Sequence, residues 1–320
     1  MNDDTAAPLL SLEGTTMGTT WHAQLQIPRP GAGEALRDGI SARLAHVVAQ
    51  MSSWDPASAL SRYNRAPAGS LVVMPQQIRY VLACATAVAQ ASGGAFDPTI
   101  GPLVGLWGFG AAAAARGTVS TARLQQAHAR VDWRRLHWQQ DKLLQTGDIA
   151  LDLSAIAKGF AADDVACWLR GQGVVAGLVD IGGDIHAFGG RTRHSPWRIR
   201  VESAPDDDRR APVPTRGVGL RDFAIATSGD RWHRYQQDGR VISHGIDPRT
   251  GQPVAHALSA VTVAAADAMH ADAWATALTV LGPDAGMALA KRLGLAARFL
   301  QRGVAGPVET MTPGFTALLC

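Results

Sequence analysis

The stretch DLSAIAKGFAADDVACWLRGQGVVAGLVDIGGD (residues 152–184) predicts a helix followed by a buried strand. The helix is expected over 158–170. The apolar run VVAGLVDI, residues 174–181, ends at Gly182-Gly183 and has the length of a buried strand. A further short strand is predicted over 149–153, directly before the helix. The second half of the chain is therefore interpreted as alternating strands and helices.

The flanking sequence extends this alternation in both directions. Residues 14–27 predict a turn followed by a strand, residues 95–110 an ordered loop, and residues 231–247 a hairpin around Asp238-Gly239. Further strands are predicted over 197–202 and 258–265, and further helices over 34–51, 76–92, 267–281 and 283–293. Because strands are expected to pair through hairpins and through crossovers, the predicted class is α+β with mixed sheets.

Composition indicates a globular protein and excludes several functions. Of the 320 residues, 47% are hydrophobic and 18% charged, an ordinary balance that at this length predicts one large domain or two interleaved subdomains. We expect a single domain over 1–320 with its core over 11–320, and a mobile loop over 203–217, which carries charge and three prolines. A net charge of +3 without a basic run argues against nucleic-acid binding. The absence of a long apolar run predicts no transmembrane segment. With no recognisable leader, the chain is expected to be cytoplasmic or a leader-less form of a periplasmic protein.

The clearest candidate chemistry lies in the predicted helix 267–281. Asp272 and Thr276 are four residues apart and share one face of that helix. A carboxylate and a hydroxyl one turn apart can both reach a hard cation, which prefers oxygen ligands. The same spacing also fits a solvated Asp272 and a Thr276 that bonds back to its own helix, so the pattern alone leaves both interpretations open.

Three other segments carry polar residues in glycine-rich settings. Lys158 opens a predicted helix, where it is either part of a phosphate site or simply an exposed lysine. Thr227, Ser228 and Gly229 form a polar turn that a ligand could approach closely. His244 and Asp247 are either a general-base pair or a structural pair. Other candidates for ligand contact are Asp97 and two loop residues, Trp54 and Met17.

Taken together, these segments resemble one enzyme family, the ApbE family of Mg-dependent FAD:protein FMN transferases. The resemblance covers nearly the whole chain in the expected order. It rests on GTTMGTTW (14–21), MSSWDPASALSRYN (51–64), SGGAFDPTIGPLVGLWGFG (92–110), DLSAIAKGFAAD (152–163), LVDIGGDIHAFG (178–189), ATSGD (226–230), SHGIDPRTG (243–251) and ADAWATAL (271–278). One departure is Gly245, where the family often has a bulky aliphatic residue.

The resemblance implies roles for matching residues. Mg²⁺ would be held by Asp272, Thr276 and the backbone carbonyl of Ala161. The flavin would be contacted by Met17, Trp54, the segment Ala95, Phe96 and Asp97, and Lys158, with Thr227, Ser228 and Gly229 as further cofactor-binding candidates. The catalytic histidine would be His244, with Asp247 as its orienting partner.

The resemblance also implies a fold and a reaction. The fold would be two interlocked α/β subdomains with the flavin nucleotide in the cleft between them. The reaction would be Mg-dependent transfer of FMN from FAD to a Thr or Ser hydroxyl of an acceptor flavoprotein, with release of AMP. The alternatives are an Mg-dependent FAD pyrophosphatase that yields FMN and AMP, and a non-catalytic maturation factor that only binds FAD.

Overall fold

The structure is a computed structural model that describes residues 9–27, 31–201, 215–229, 234–237, 239–304 and 306–320. Its helices are α1 (Gly33–Met51), α2 (Ala59–Arg65), α3 (Gln76–Ala91), α4 (Gly101–Leu106), α5 (Thr121–His128), α6 (Ala157–Gly171), α7 (Ala268–Arg292) and α8 (Pro313–Thr316). Its strands are β1 (Leu10–Thr16), β2 (Thr19–Gln26), β3 (Leu71–Val73), β4 (Trp138–Gln139), β5 (Lys142–Leu144), β6 (Ala176–Ile181), β7 (Asp184–Phe188), β8 (Trp197–Val201), β9 (Arg216–Leu220), β10 (Phe223–Gly229), β11 (Arg234–Gln237), β12 (Arg240–Ser243), β13 (Leu258–Ala265), β14 (Ala296–Gln301) and β15 (Val308–Met311).

One eight-stranded sheet organises the fold, with strand order β1-β2-β6-β7-β10-β13-β14-β15. Adjacent residues of its strands bury their side chains in different clusters, because successive side chains point to opposite faces. Ala224 and Val263 belong to the cluster shared with the helices, whereas their neighbours Ile225 and Ala264 pack with Trp197 of β8. The sheet therefore lies between a helical layer and the small β8–β9 sheet.

The predicted mixture of parallel and antiparallel strands is wrong for the described residues. All their paired strands run antiparallel, and the parallel contact they show is the isolated bridge between Ile100 and Ala150. The β13–β14 connection shows why. Gly282 breaks α7 with a φ of 82°, and a Cβ on Gly286 would lie 2.9 Å from the carbonyl oxygen of Leu278. A straight helix would separate these residues by about 12 Å. The chain thus crosses the sheet twice, as two packed helices, before β14 begins.

Most predicted elements are present. Helices α1, α3 and α6 confirm the predictions at 34–51, 76–92 and 158–170, and α7 contains both predicted C-terminal helices. Strands β6, β8 and β13 are also confirmed, as is the β11–β12 hairpin, in which Gln237 pairs with Arg240. Asp238, at its tip, lies outside the described residues.

Four local predictions need correction. Residues 149–153 form no strand, because the backbone of Leu151 pairs with the Asn64 side chain instead (2.8 and 2.9 Å). The predicted loop 95–110 contains α4. In 14–27 the strand predicted after the turn is confirmed as β2, but residues 14–16 belong to β1 rather than to the turn. Of the predicted mobile loop 203–217, residues 203–214 lie outside the described residues, whereas 216 and 217 belong to β9. No helix in the described part of the chain is long and apolar enough to cross a membrane.

Candidate active site

The candidate active site is built around a very close approach of α6 to the N-terminal turn of α7. A Cβ atom on Gly159 would lie 2.2 Å from the carbonyl oxygen of Ala268, so no other residue type fits there without moving a helix. Across this contact, the backbone N–H of Gly159 donates to Oδ2 of Asp272 at 3.4 Å. Packing between backbones therefore sets the distance from Asp272 to the first turn of α6.

Two buried carboxylates and one partly exposed lysine lie beside this contact. The ammonium of Lys158 donates to Oδ2 of Asp184, on β7, and its Nζ is 4.0 Å from Oδ2 of Asp272. The side chains of Asp184 and Asp272 are only 2% and 5% exposed. Two buried carboxylates thus face one ammonium, which leaves one negative charge without an equal counter-charge when both are ionised.

The pKa values reflect this imbalance. Burial and the nearby Asp272 raise the pKa of Asp184 to about 8, despite the opposing effect of Lys158. Burial also raises the pKa of Asp272. For Lys158, burial lowers the pKa, but the attraction of Asp184 and Asp272 outweighs it and the pKa is raised overall. Lys158 therefore stays positively charged, and the site favours additional positive charge.

Thr276 lies one helical turn after Asp272 and faces the end of β10. Its hydroxyl is hydrogen-bonded to the hydroxyl of Ser228 at 2.9 Å. The preceding residue, Thr227, points to the other face of β10 and pairs with Thr262, also at 2.9 Å. Of the polar turn predicted from the sequence, the structure thus brings Ser228 to the metal candidates, whereas Thr227 joins two strands. Gly229 lies against β13, where a Cβ would be 2.5 Å from the carbonyl oxygen of Ser259.

The donor atoms at this point fit a hard divalent cation. Asp272 offers a buried carboxylate and Thr276 a hydroxyl. The backbone carbonyl of Ala161, a buried residue of α6, stays the third ligand that the resemblance implies. The described residues contain no cluster of three or more His, Cys, Asp or Glu side chains suited to a metal. One carboxylate with neutral oxygens suits Mg²⁺, which uses few protein ligands and completes its shell with water or phosphate oxygens. The interpretation of Asp272 as a solvated residue is wrong, since the side chain is buried.

The residues expected to bind flavin differ in their solvent exposure and in the backbone that holds them. Met17 has a φ of 48° at the tip of the β1–β2 hairpin, beside an open recess of about 540 Å³ lined by residues 15–20. Trp54 is 72% exposed, in a turn whose backbone N–H groups donate to the Ser52 hydroxyl. An indole held in an exposed turn is free to stack on a planar ring.

The segment Ala95–Asp97 is buried, and the hydrogen bonds of Asp97 stabilise the local fold. Ala95 and Phe96 lie in the interior. The carboxylate of Asp97 accepts hydrogen bonds from the N–H and hydroxyl of Thr99 (2.8 and 2.7 Å) and from the N–H of Trp133 (3.1 Å). Burial raises the pKa of Asp97 in spite of these donors. Oδ1 of Asp97 therefore stabilises the loop before α4, and Oδ2 connects that loop to Trp133.

His244 follows β12 directly and lies against an aromatic cluster. Its ring is 6.3 Å from that of Phe109, edge to face, and Phe109 in turn contacts Tyr235, whose hydroxyl donates to the carbonyl of Trp107. Asp247, the expected partner of His244, accepts two hydrogen bonds from the guanidinium of Arg249, both at 2.8 Å. The carboxylate of Asp247 thus fixes the turn after His244, and its orienting role stays a prediction.

Sequence reasoning missed three residues of the site: Asp184, Asp163 and His186. Asp184 and His186 are two apart on β7 and face the same side, where each meets a residue of α6. The signal present in the sequence was a charged pair at strand spacing directly after Gly182-Gly183. Their partners on α6 lie more than 20 residues earlier in the chain, so local sequence patterns could not predict which residues pair.

Comparison with known proteins shows the family. The sequence pattern of the ApbE family matches residues 17–299. A protein named FAD:protein FMN transferase from Klebsiella pneumoniae (strain 342) is 33% identical over 96% of this chain and 89% of its own length. The chain belongs to the ApbE family. A Vibrio cholerae relative of the same name is 37% identical, covering 89% of this chain and 85% of that protein.

Solved ApbE structures agree with this assignment. The apo form of the flavinyl transferase ApbE from Pseudomonas stutzeri has a TM-score of 0.89 and 36% identity, covering 97% of this chain and 96% of that one. The flavin transferase ApbE from Vibrio cholerae also has a TM-score of 0.89, with 34% identity over 98% of this chain and 100% of that one. The predicted ApbE-type α+β fold and the predicted transferase class are confirmed.

Proposed function

We propose that the chain transfers FMN from FAD to a Thr or Ser hydroxyl of an acceptor flavoprotein, with Mg²⁺ as cofactor and AMP as the released product. The names of its relatives support flavin transfer. The observation that carries the proposal for this chain is the buried Asp272, with Thr276 one turn away and Lys158 beside it. These groups fit a cation and a phosphate in one place.

The charge balance of the site favours a metal-bound pyrophosphate. FAD brings a negatively charged pyrophosphate, and the carboxylates of Asp272 and Asp184, when both are ionised, would repel it in a buried setting. Lys158 offsets only part of that negative charge. Mg²⁺ held by Asp272, Thr276 and the Ala161 carbonyl would supply the remaining positive charge and stabilise the charge that develops on the departing AMP.

The proposal gives roles to three further residues: Trp54, Lys158 and His244. Trp54 stacks on the planar flavin, and Lys158 contacts a phosphate oxygen. The oxygen of the acceptor hydroxyl attacks the phosphorus of the FMN phosphate, a new P–O bond forms, and the P–O bond to AMP breaks. His244, held against Phe109, accepts the proton of the attacking hydroxyl. The product is FMN linked to the acceptor by a phosphoester.

Intact-protein mass spectrometry tests this proposal directly. The chain is mixed with FAD, Mg²⁺ and an acceptor domain, and the same mixture with EDTA is the control. The expected result is a gain of one FMN on the acceptor that EDTA abolishes. Free FMN and AMP without a mass gain would favour the pyrophosphatase, and intact bound FAD with a proven acceptor would favour the binding factor.

Two variants on α7 make the test specific to the site. Asp272→Asn removes the buried carboxylate and should abolish transfer while FAD still binds in EDTA. Asp284→Asn removes an exposed carboxylate from the second half of the same helix and should transfer FMN like the wild type. Full Mg²⁺-dependent activity in Asp272→Asn would refute the assignment of this residue as a metal ligand.

A further inference from the structure

Asp163 joins three elements that carry the candidate site. Its Oδ1 accepts from the backbone N–H of Ala268 at 2.8 Å, and its Oδ2 accepts from the N–H of Met269 at 2.9 Å. Its Oδ1 also accepts from Nδ1 of His186, on β7, at 2.6 Å. A side chain of α6 therefore caps the first turn of α7, in addition to the N-cap that Asp267 provides within the helix.

The same three elements meet a second time at the charged cluster. Helix α6 supplies Lys158, strand β7 supplies Asp184, and helix α7 supplies Asp272. Asp184 and His186 are two residues apart on β7, so one face of that strand bonds both to Lys158 and to Asp163. On α6, Ala161 lies between Lys158 and Asp163; on α7, Asp272 and Thr276 follow the capped residues Ala268 and Met269 within the next two turns.

We propose that Asp163, oriented by His186, is a positioning residue that fixes the register of α7 against α6 and thereby the spacing of the Mg²⁺ ligands. Both oxygens of the carboxylate hold N–H groups of α7 that no residue within the helix can satisfy, so a shift of α7 along α6 would break both bonds at once. His186 prevents the carboxylate from rotating away. This inference rests on the proposed function, because it concerns the metal site of that reaction.

The experiment measures metal binding rather than turnover. Mn²⁺ serves as the probe, and free Mn²⁺ is counted by EPR as it is added to the full chain with FAD and no acceptor. Asp163→Asn is expected to weaken Mn²⁺ binding about tenfold, the low end of the range for residues that orient metal ligands. Asn keeps the size of the side chain but presents an N–H₂ group to one of the two N–H donors.

A matched control lies at the next position. Asp164 is also on α6 and also forms a partly buried ion pair, but with Arg43 of α1. Asp164→Asn should lower thermal stability as Asp163→Asn does, yet bind Mn²⁺ like the wild type. If both variants weaken Mn²⁺ binding equally, Asp163 contributes only to general stability and the proposal is overturned.

His186 gives a second, independent pair of variants. His186→Leu removes the donor to Asp163 and should weaken Mn²⁺ binding. His186→Asn instead places an amide N–H near the position of Nδ1, so this variant should bind Mn²⁺ like the wild type. Wild-type affinity in both Asp163→Asn and His186→Leu would overturn the positioning role alone. Absence of Mn²⁺ binding in the wild type would instead refute the proposed metal site itself, and the positioning role with it.

Discussion

Replacing Gly159 by Ala tests how strictly the α6–α7 contact controls catalysis. The new Cβ would lie 2.2 Å from the carbonyl oxygen of Ala268, 2.6 Å from its carbonyl carbon and 2.8 Å from the nitrogen of Met269. All three atoms belong to backbone, so no side chain can rotate out of the way. Since ordinary van der Waals contact begins near 3.4 Å, the helices must separate by about 1.2 Å.

A displacement of this size should reduce both stability and turnover. Overpacking of this kind costs about 1–3 kcal/mol of unfolding free energy. A misplacement of about 1 Å in an active site can lower turnover about a hundredfold. We therefore expect Gly159→Ala to fold with a lower unfolding midpoint and to transfer FMN about a hundred times more slowly, measured by mass spectrometry well below that midpoint.

Gly171→Ala is the matched control for this substitution. Gly171 ends the same helix, and a Cβ there would meet no atom within 4 Å. This variant should keep wild-type turnover and equal or slightly higher stability, because Ala favours helix over Gly by up to about 1 kcal/mol. Wild-type turnover in Gly159→Ala, or an equal loss in both variants, would refute the reasoning that this contact sets the geometry of the site.

Three further variants address the flavin, the proton acceptor and the sheet edge. Trp54→Ala should raise the Kd of FAD by about 5- to 150-fold, the range for loss of one stacked base, and leave the unfolding midpoint unchanged because the indole is 72% exposed; an unchanged Kd would exclude stacking. His244→Ala should abolish transfer while FAD still binds, and retained turnover would exclude His244 as the proton acceptor. Glu309→Gln should cost about 3 kcal/mol in denaturant unfolding, because Glu309 is shared by Arg216 and the buried Arg298. Burial raises the pKa of Glu309, but the hydrogen bonds from Arg216 and Arg298 lower it by more, so the pKa is lowered overall. The stabilisation that Glu309 contributes is therefore fully present above pH 4.5, the ordinary value, and is lost as the pH falls through the lowered pKa. Glu309→Gln should therefore show less loss of stability on acidification than the wild type, and an identical acid dependence would contradict this.

The sequence predicted those helices and strands whose pattern of apolar residues lies within a single segment. Helices α1, α3 and α6 and strands β6 and β13 follow from apolar spacing within each segment. The strand expected at 149–153 failed because its backbone finds partners in Asn64, 87 residues earlier. The antiparallel pairing of β13 with β14 also escaped prediction, since it depends on how the two halves of α7 pack at Gly282.

The same distinction applies to the candidate site. Asp272 and Thr276 became candidates because four residues along a helix place them on one face, and the resemblance to the ApbE family favoured the metal interpretation. Asp184 and His186 were not, because their partners Lys158 and Asp163 lie 26 and 23 residues earlier and meet them only after β7 packs on α6. The sequence therefore identified the candidate metal ligands, but not the residues that hold them in place.

The two sides of the site differ in how firmly they are held, and this predicts different effects of substitution. On the metal side, Asp272 and Ala161 lie on helices whose backbones touch at Gly159, and Asp163 bonds directly to the backbone of α7. On the flavin side, Trp54 and Met17 lie in turns at the surface. Rigid elements hold reacting groups more accurately than loops do. Substitutions at the α6–α7 contact should therefore change turnover more than FAD affinity, whereas substitution of the exposed Trp54 should change FAD affinity and leave stability intact.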